Sequence, residues 1–394
     1  MSSPAAQAAL PDELLEDIFL RFDAAEDLAR ASAACTTFRR VVSARRFLRR
    51  FRSLHPPPLL GFHESDGHGA FHPADPPHRY APAARALAQA ADFSFSFLGN
   101  PNRWEVCDAR DGRVLVYRRF SDTSPSGDLV VCDPLHRRHI QLPPIPDDLA
   151  AASGGWGIRE SDPFLDPATE KEKGEQDLSF RVICTVQCQD KLVTFHFSSV
   201  TGKWRGMAFD RPLPLESYMV RYSELFKRQY AHSCFFWTYC GVESSIMFDT
   251  REMKVSIVDH PPSRYCNPLG RAFVEAGEGR LGLANVGDTF LELYSKTLRN
   301  NGVGTEVWQY DKVIPLPEID HCRNWSILST AEGHILLQAT SCDPSHLPFG
   351  IPELHCFTLD LKTLLVERFC MLNQSIMGAH LYANFPPALS LPSI

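Results

Sequence analysis

The 394 residues are 44% hydrophobic and 22% charged, enough for two or three packed domains and unlike collagen, coiled coil or wholesale disorder. A net charge of −7 argues against general nucleic-acid binding, and no window of about 18 apolar residues exists to span a membrane. The N-terminus, MSSPAAQAALPDELLEDIF, has neither the basic nor the apolar part of a signal peptide, and the twelve Cys include no CxxC pair. Buried, reduced thiols in an intracellular protein, cytoplasmic or nuclear, are therefore expected. The basic residues are unevenly chosen: 31 Arg against 9 Lys, with 19 Arg and no Lys before Lys171. GC-rich codon usage is the simplest account of abundant Arg.

Residues 10–54 read as a helical module. Leu14, Ile18 and Phe22, with Leu15 and Phe19 beside them, form the apolar stripe of an amphipathic helix. Pro11 suits its first position, where a missing N–H costs nothing, and Asp12 and Glu13 follow where the helix dipole favours negative charge. A second helix starts at Asp23, with Glu26 in capping-box spacing, and turns Ala25, Leu28, Ala29 and Cys35 inward. A third, from Thr36 or Thr37, carries Phe38, Val41 and Val42; a fourth carries Phe47, Leu48, Phe51 and Leu54. So small a core is marginal alone, and a partner surface is expected. Residues 11–27 hold seven acids and one Arg, whereas residues 39–52 hold seven Arg. The Arg run reads as a solvated basic face or a patch for an acidic partner. Nucleic-acid contact would need stacking side chains, and Phe47, Leu48 and Phe51 are better used in the core.

LPDELLEDIFLRF followed by DLARASAACTTFRRVV resembles the F-box, the helical motif that docks substrate receptors onto the Skp-type adaptor of cullin-based SCF ubiquitin ligases. The matching positions are Leu10, Pro11, Leu14, Leu15, Ile18, Phe19, Leu28, Ala29, Cys35, Phe38 and Arg39. The resemblance implies an adaptor-binding face made of Leu10, Pro11, Leu14, Leu15, Ile18, Phe19, Leu28 and Phe38. It also implies a cullin scaffold reached through the adaptor, an unidentified protein target, and no catalytic residue in the chain itself. The family commonly has Trp where this chain has Phe38, which offers less area and no N–H, so weaker docking is expected. On pattern alone, the same apolar stripe could instead pack against the rest of the chain. Beside a machine that modifies lysines, a Lys-free N-terminal part would keep its basic charge while offering no acceptor amine.

Residues 55–92 hold seven prolines between Pro56 and Pro82 and read as a semi-rigid linker. Its His63, His68, His72 and His78 have no Cys or helix beside them to fix metal geometry, so solvated loop histidines are expected. From residue 93 to 394 the period becomes 2. Gly112–Arg118, Asp128–Cys132, Phe180–Val186, Leu192–Phe197, Cys234–Tyr239, Ser245–Phe248, His334–Gln338 and Leu354–Leu359 are short apolar segments between turn residues. Only Glu216–Arg228 suggests a helix. A weak repeat places Asp133, Ser198, Asp249 and Asp360 at one equivalent turn between two strands, with a less regular copy at Val307–Pro315. Repeated hairpins of this kind indicate propeller blades, and the repeat does not set their number. GRVLVYRR…LVVCDPLHRRHIQLPP, and SSVTGKWR after it, resemble the propeller-like associated domain of plant F-box proteins. The fold class expected is thus a short helical F-box followed by an all-β, propeller-like domain that binds the target. Residues 159–177 read as a disordered loop.

No metal or cofactor is expected. Gly277, Gly279 and Gly282 satisfy GxGxxG, but LANVGDTFLELY follows as strands, where a dinucleotide site needs a helix. Cys184 and Cys188 would lie about 13 Å apart on one strand, too far to share a metal. HExxH, GxSxG and P-loop motifs are absent from the sequence. Two other classes stay open: a propeller hydrolase or lectin-like protein with a helical extension, marked by carboxylates or aromatics at the channel mouth, and an Arg-mediated nucleic-acid binder.

Overall fold

Segments such as Val114–Val116 and Phe235–Trp237 are apolar at consecutive positions, so both faces of their strands need cover. In the computed structural model that cover comes from stacking small sheets around an axis. The structure describes residues 10–22, 25–55, 57–65, 69–99, 104–118, 128–151, 161–166, 178–187, 191–210, 227–238, 243–262, 270–277, 279–297, 307–319, 322–341, 354–390 and 392–394.

Four helices come first: α1 (Asp12–Phe19), α2 (Ala25–Ala34), α3 (Thr36–Val42) and α4 (Arg45–Leu54). Strands β1 (Leu59–Glu64) and β2 (Phe71–Pro73) and helix α5 (Ala81–Ala90) follow. Blade 1 comprises β3 (Trp104–Arg110), β4 (Arg113–Arg118), β5 (Asp128–Asp133) and β6 (Arg138–Gln141); a short helix α6 (Asp147–Ala151) leads out of it. Blade 2 comprises β7 (Ser161–Asp166), β8 (Arg181–Gln187), β9 (Lys191–Ser198) and β10 (Lys203–Asp210). Blade 3 comprises β11 (Lys227–Ala231), β12 (Cys234–Thr238), β13 (Ser244–Asp249) and β14 (Lys254–Asp259). Blade 4 comprises β15 (Arg271–Glu275), β16 (Arg280–Val286), β17 (Phe290–Thr297) and β18 (Gln309–Pro315). Blade 5 comprises β19 (Cys322–Ala331), β20 (His334–Ser341), β21 (Leu354–Asp360) and β22 (Val366–Leu372). The sixth sheet, in the order β2-β1-β23, joins β23 (Ala379–Ala383) to the two early strands.

All pairings are antiparallel. The first strand of each of blades 1–5, and β23 in blade 6, is innermost: β3 lies beside β7 and β23, β15 beside β11 and β19, and β19 beside β23. Blades 2 and 3 meet through Phe164 and Phe235, with ring centroids 4.2 Å apart. The ring is therefore closed, and blade 6 closes it by pairing Leu59 with Ala383, Phe62 with Leu381 and Glu64 with Ala379. The structure corrects the linker reading here. Pro57 and Pro58 precede β1 rather than break it, and LLGFHE is buried along its whole length. The histidines are corrected too: His63 is wholly buried among Phe71, Phe93 and Phe95, and His78 is buried beside Phe369. His72 binds Glu64 across the strand pair at 2.7 Å, and His68 lies outside the described residues. Part of 159–177 is likewise ordered, as β7; residues 167–177, and most of Glu216–Arg228, lie outside the described residues.

The repeated turn is real. Asp133, Ser198, Asp249 and Asp360 each end the third strand of a blade. Asp249 accepts the backbone N–H groups of Arg251 and Glu252, and Asp360 those of Lys362 and Thr363, which fixes the turn into the fourth strand. Within Val307–Pro315 lies β18, the fourth strand of blade 4, and the residues that would form the turn before it, 298–306, lie outside the described residues. GEGRLG is the β15–β16 turn: Gly277 and Gly279 have φ of 103° and 68°, and Gly282 lies within β16.

Candidate functional site

Helices α1 to α4 wrap a core of Leu15, Phe19, Leu28, Val42, Phe47 and Phe51. Pro11 sits one residue before α1 rather than at its first position; its carbonyl accepts the N–H groups of Leu14 and Leu15. Cys35 does not turn inward. It is exposed and caps α3, its Sγ accepting the Phe38 N–H at 3.4 Å. The start of α2 at Asp23 lies outside the described residues.

The eight side chains that the F-box resemblance marks as docking residues divide between interior and surface. Leu15, Phe19 and Leu28 are buried and hold the helices together. Phe38 is half-buried, edge-on to Phe19 with ring centroids 5.1 Å apart. Leu10, Leu14 and Ile18 are 53%, 49% and 46% exposed, and Pro11 is exposed beside them. The two α1 residues are four apart, so they share one face one turn from each other, and Leu10 and Pro11 extend that face at its entry. An apolar strip of this kind loses free energy to water until something covers it.

Charges brace the strip's frame. Arg40 on α3 holds the Asp12 carboxylate with two N–H groups, and those hydrogen bonds keep the Asp12 pKa below the usual carboxylate range. Arg50 lies 3.7 Å from Asp17. The acidic and basic halves of the segment thus meet across the module. Its base is seated on the propeller: Phe385 and Leu389, just after β23, belong to its core, and Phe385 packs against Phe51 at 6.1 Å. The His55 Nε2–H donates to the Leu20 carbonyl at 3.0 Å.

The remaining polar groups of the propeller bind its blades to one another. Asp162 on β7 accepts from Arg228 on β11 and from the Trp237 indole N–H at 2.9 Å, while Asp108 on β3 lies 3.6 Å from Arg228. Burial pushes the Asp162 carboxyl up, and the Arg228 guanidinium and the indole N–H pull it back. One cation thereby ties the inner strands of three blades. His260 contacts Ser245 Oγ through Nε2 at 2.8 Å and Arg271 Nη1 through Nδ1 at 3.1 Å. A guanidinium can only donate, so Nδ1 accepts and the imidazole proton sits on Nε2, facing Ser245. In this tautomer His260 cannot take the Ser245 proton, and burial pushes its pKa down to about 4. The buried Lys296 ammonium lies over Trp308 at 4.5 Å, and burial lowers its pKa to about 8. Among the described residues no three His, Cys, Asp or Glu side chains converge as a metal site, and no helix is long and apolar enough to cross a membrane.

Residues 7–54 match the family model described as F-box-like. No curated protein matches the chain. Among solved structures it is similar to one from a study of two prolyl endopeptidases, at 10% identity and TM-score 0.35, over 71% of this chain and 35% of that one. It is similar to a post-proline cleaving enzyme from Rickettsia typhi, at 10% identity and TM-score 0.34, over 93% of this chain and 58% of that one. A luciferin-regenerating enzyme aligns at 8% identity and TM-score 0.30, over 71% and 80%. The chain spans less than two thirds of the length of the first two. Likeness at this level carries no argument about activity. The architecture is a short F-box-like helical segment followed by an all-β, six-bladed propeller.

Proposed function

We propose that this chain is the substrate-recognition subunit of an SCF-type ubiquitin ligase, acting inside the cell. Leu10, Pro11, Leu14 and Ile18, with the edge of Phe38, bind the Skp-type adaptor, which carries the cullin scaffold; the propeller holds a protein target. The observation that carries this reading is the exposed apolar strip on a helical module whose other large apolar side chains, Leu54 at the end of α4 apart, are packed, within the residues that match the F-box-like family. The resemblance of blades 1 and 2 to the associated domain of plant F-box proteins supports it.

The chain contributes position rather than chemistry. A receptor that holds a target near a charged conjugating enzyme raises the effective concentration of the target's lysine and makes the transfer effectively intramolecular. The test is co-purification of the full chain with the Skp-type adaptor. Binding that survives a Leu14→Asp, Ile18→Asp double substitution in folded protein would end this reading.

A further inference from the structure

Acceptance of ubiquitin requires an amine. The Lys Nζ lone pair attacks the thioester carbonyl of ubiquitin held on the conjugating enzyme. The C–N isopeptide bond forms, the C–S bond breaks, and the proton lost by the amine goes to the departing thiolate. An Arg guanidinium stays protonated in proteins and offers no such lone pair. Arg and Lys are therefore equivalent as surface charges but opposite as acceptors.

The fold turns the uneven choice of basic residues into a spatial division. The F-box-like module, blade 1 and blade 6 contain no Lys, and every Lys lies in the blade 2 to blade 5 part of the chain. Both Lys-free blades are tied to the module through the chain. Blade 6 follows α4 directly, and the C-terminal segment that enters the module's core also crosses blade 1. There Ser393 N–H donates to Asp133 at 2.8 Å, and Arg113 Nε donates to the Ser393 carbonyl at 2.8 Å.

The repeat supplies an internal control. The first residue of the fourth strand, one position after the repeated turn, is Lys203 in blade 2 and Lys254 in blade 3, both exposed. In blade 1 the same place holds Arg138, with a single side-chain hydrogen bond of 3.3 Å to the Ile394 carbonyl, within the capacity of an ammonium. Arg79, Arg113 and Arg118 in the Lys-free part use the guanidinium against Glu367, the Ser393 and Ser179 carbonyls, and Asp128, but at five other positions its geometry goes unused. Arg21, Arg39, Arg46, Arg85 and Arg137 are exposed and make no side-chain hydrogen bond or ion pair among the described residues, unlike Arg40 with its two-pronged grip on Asp12. Codon usage acts on every blade alike and does not divide equivalent positions by blade.

Resting on the receptor reading above, we infer that self-ubiquitination of this chain is confined to blades 2–5, with Lys203, Lys254, Lys312 and Lys362 as its exposed acceptors among the described residues, and that the adaptor-proximal part is cleared of acceptor amines. The test compares the full chain with an Arg46→Lys, Arg85→Lys, Arg138→Lys variant, each in complex with adaptor, cullin and RING subunit. Both are incubated with activating enzyme, conjugating enzyme, ubiquitin and ATP, and modified lysines are mapped by mass spectrometry. The expected result is modification of the wild type at the exposed Lys203, Lys254, Lys312 and Lys362 rather than at the buried Lys296, and a severalfold rise in total self-conjugation in the variant, carried by the three introduced residues. A complex that forms but leaves the introduced lysines unmodified overturns this inference and leaves the receptor reading standing. Failure of the wild type to bind the adaptor removes both.

Discussion

Replacing Leu14 and Ile18 together by Ala separates docking from folding. Each side chain is about half exposed, so about half of its transfer free energy is still available to a partner. Full burial of a Leu or Ile contributes about 1.5–3 kcal/mol, which leaves about 0.8–1.5 kcal/mol for each. The pair then accounts for about 1.5–3 kcal/mol of adaptor binding, or about a 10- to 150-fold weakening on truncation. The affinity is measured by calorimetry or biolayer interferometry on purified full chain and adaptor, with a thermal melt of each protein alongside. The melt should barely move, because neither side chain belongs to the module's core. Leu15→Ala, one position away but buried, should instead cost about 2–5 kcal/mol of module stability and weaken binding only as the helices loosen. Unchanged affinity for the Leu14, Ile18 pair, with an intact melt, would refute the assignment of this strip as the docking face.

Three further outcomes follow from the propeller. Phe62→Ala removes a fully buried ring opposite Leu381 in the closing blade; it should cost about 3–5 kcal/mol in urea unfolding and speed proteolysis near β23, and an unaltered digestion pattern would argue against this closure. Arg228→Met leaves Asp108 and Asp162 buried without their shared cation and should destabilise by about 3–5 kcal/mol; a stabilised variant would show that the ion pairs do not hold the blades. Burial lowers the pKa of His63 to about 3 and of His78 and His260 to about 4, from 6.5. The unfolded chain therefore takes up protons below pH 6.5 that the folded chain refuses, and each His removes about 1.4 kcal/mol of stability per pH unit from 6.5 down towards its folded value. His63→Phe should reduce the slope of unfolding free energy against pH between 6.5 and 5 by that amount, and an unchanged slope would exclude His63 as a contributor.

The segments legible as strands were a particular subset. The eight expected segments coincide with β4 and β5, β8 and β9, β12 and β13, and β20 and β21, the second and third strands of four blades. Those strands have neighbours on both edges and blades on both faces, so their sequences are continuous apolar runs. Two of the fourth strands face water: β6 is exposed throughout and β18 nearly so, and there the apolar signal disappears. Inner strands such as β7 and β11 hide their pattern behind Asp162 and Arg228, which only the assembled ring brings together. In the docking strip, period alone puts Leu14 and Leu15 on one broad apolar face. Which of them is buried depends on where α3 and α4 pack, and that is a tertiary fact.

The closing blade changes what the helical module can do. A Pro-rich tether would let an adaptor-bound module swing, diluting any target held by the propeller over a wide volume. Instead α4 ends at Leu54 and β1 begins at Leu59, already paired with β23. The chain leaving β23 then places Phe385 and Leu389 in the module's core. The module is thus held at both of its connections to blade 6, by the strand that follows it and by the tail that packs beneath it. On the receptor reading proposed above, a docking strip fixed in this way would hold a bound adaptor in one orientation relative to the propeller axis, and a proximity mechanism gains most when the two reacting groups keep one relative geometry. Pro57 and Pro58 then serve as a short stiff corner leading into the first strand of the ring, which is why proline enrichment alone misleads about a linker at this place.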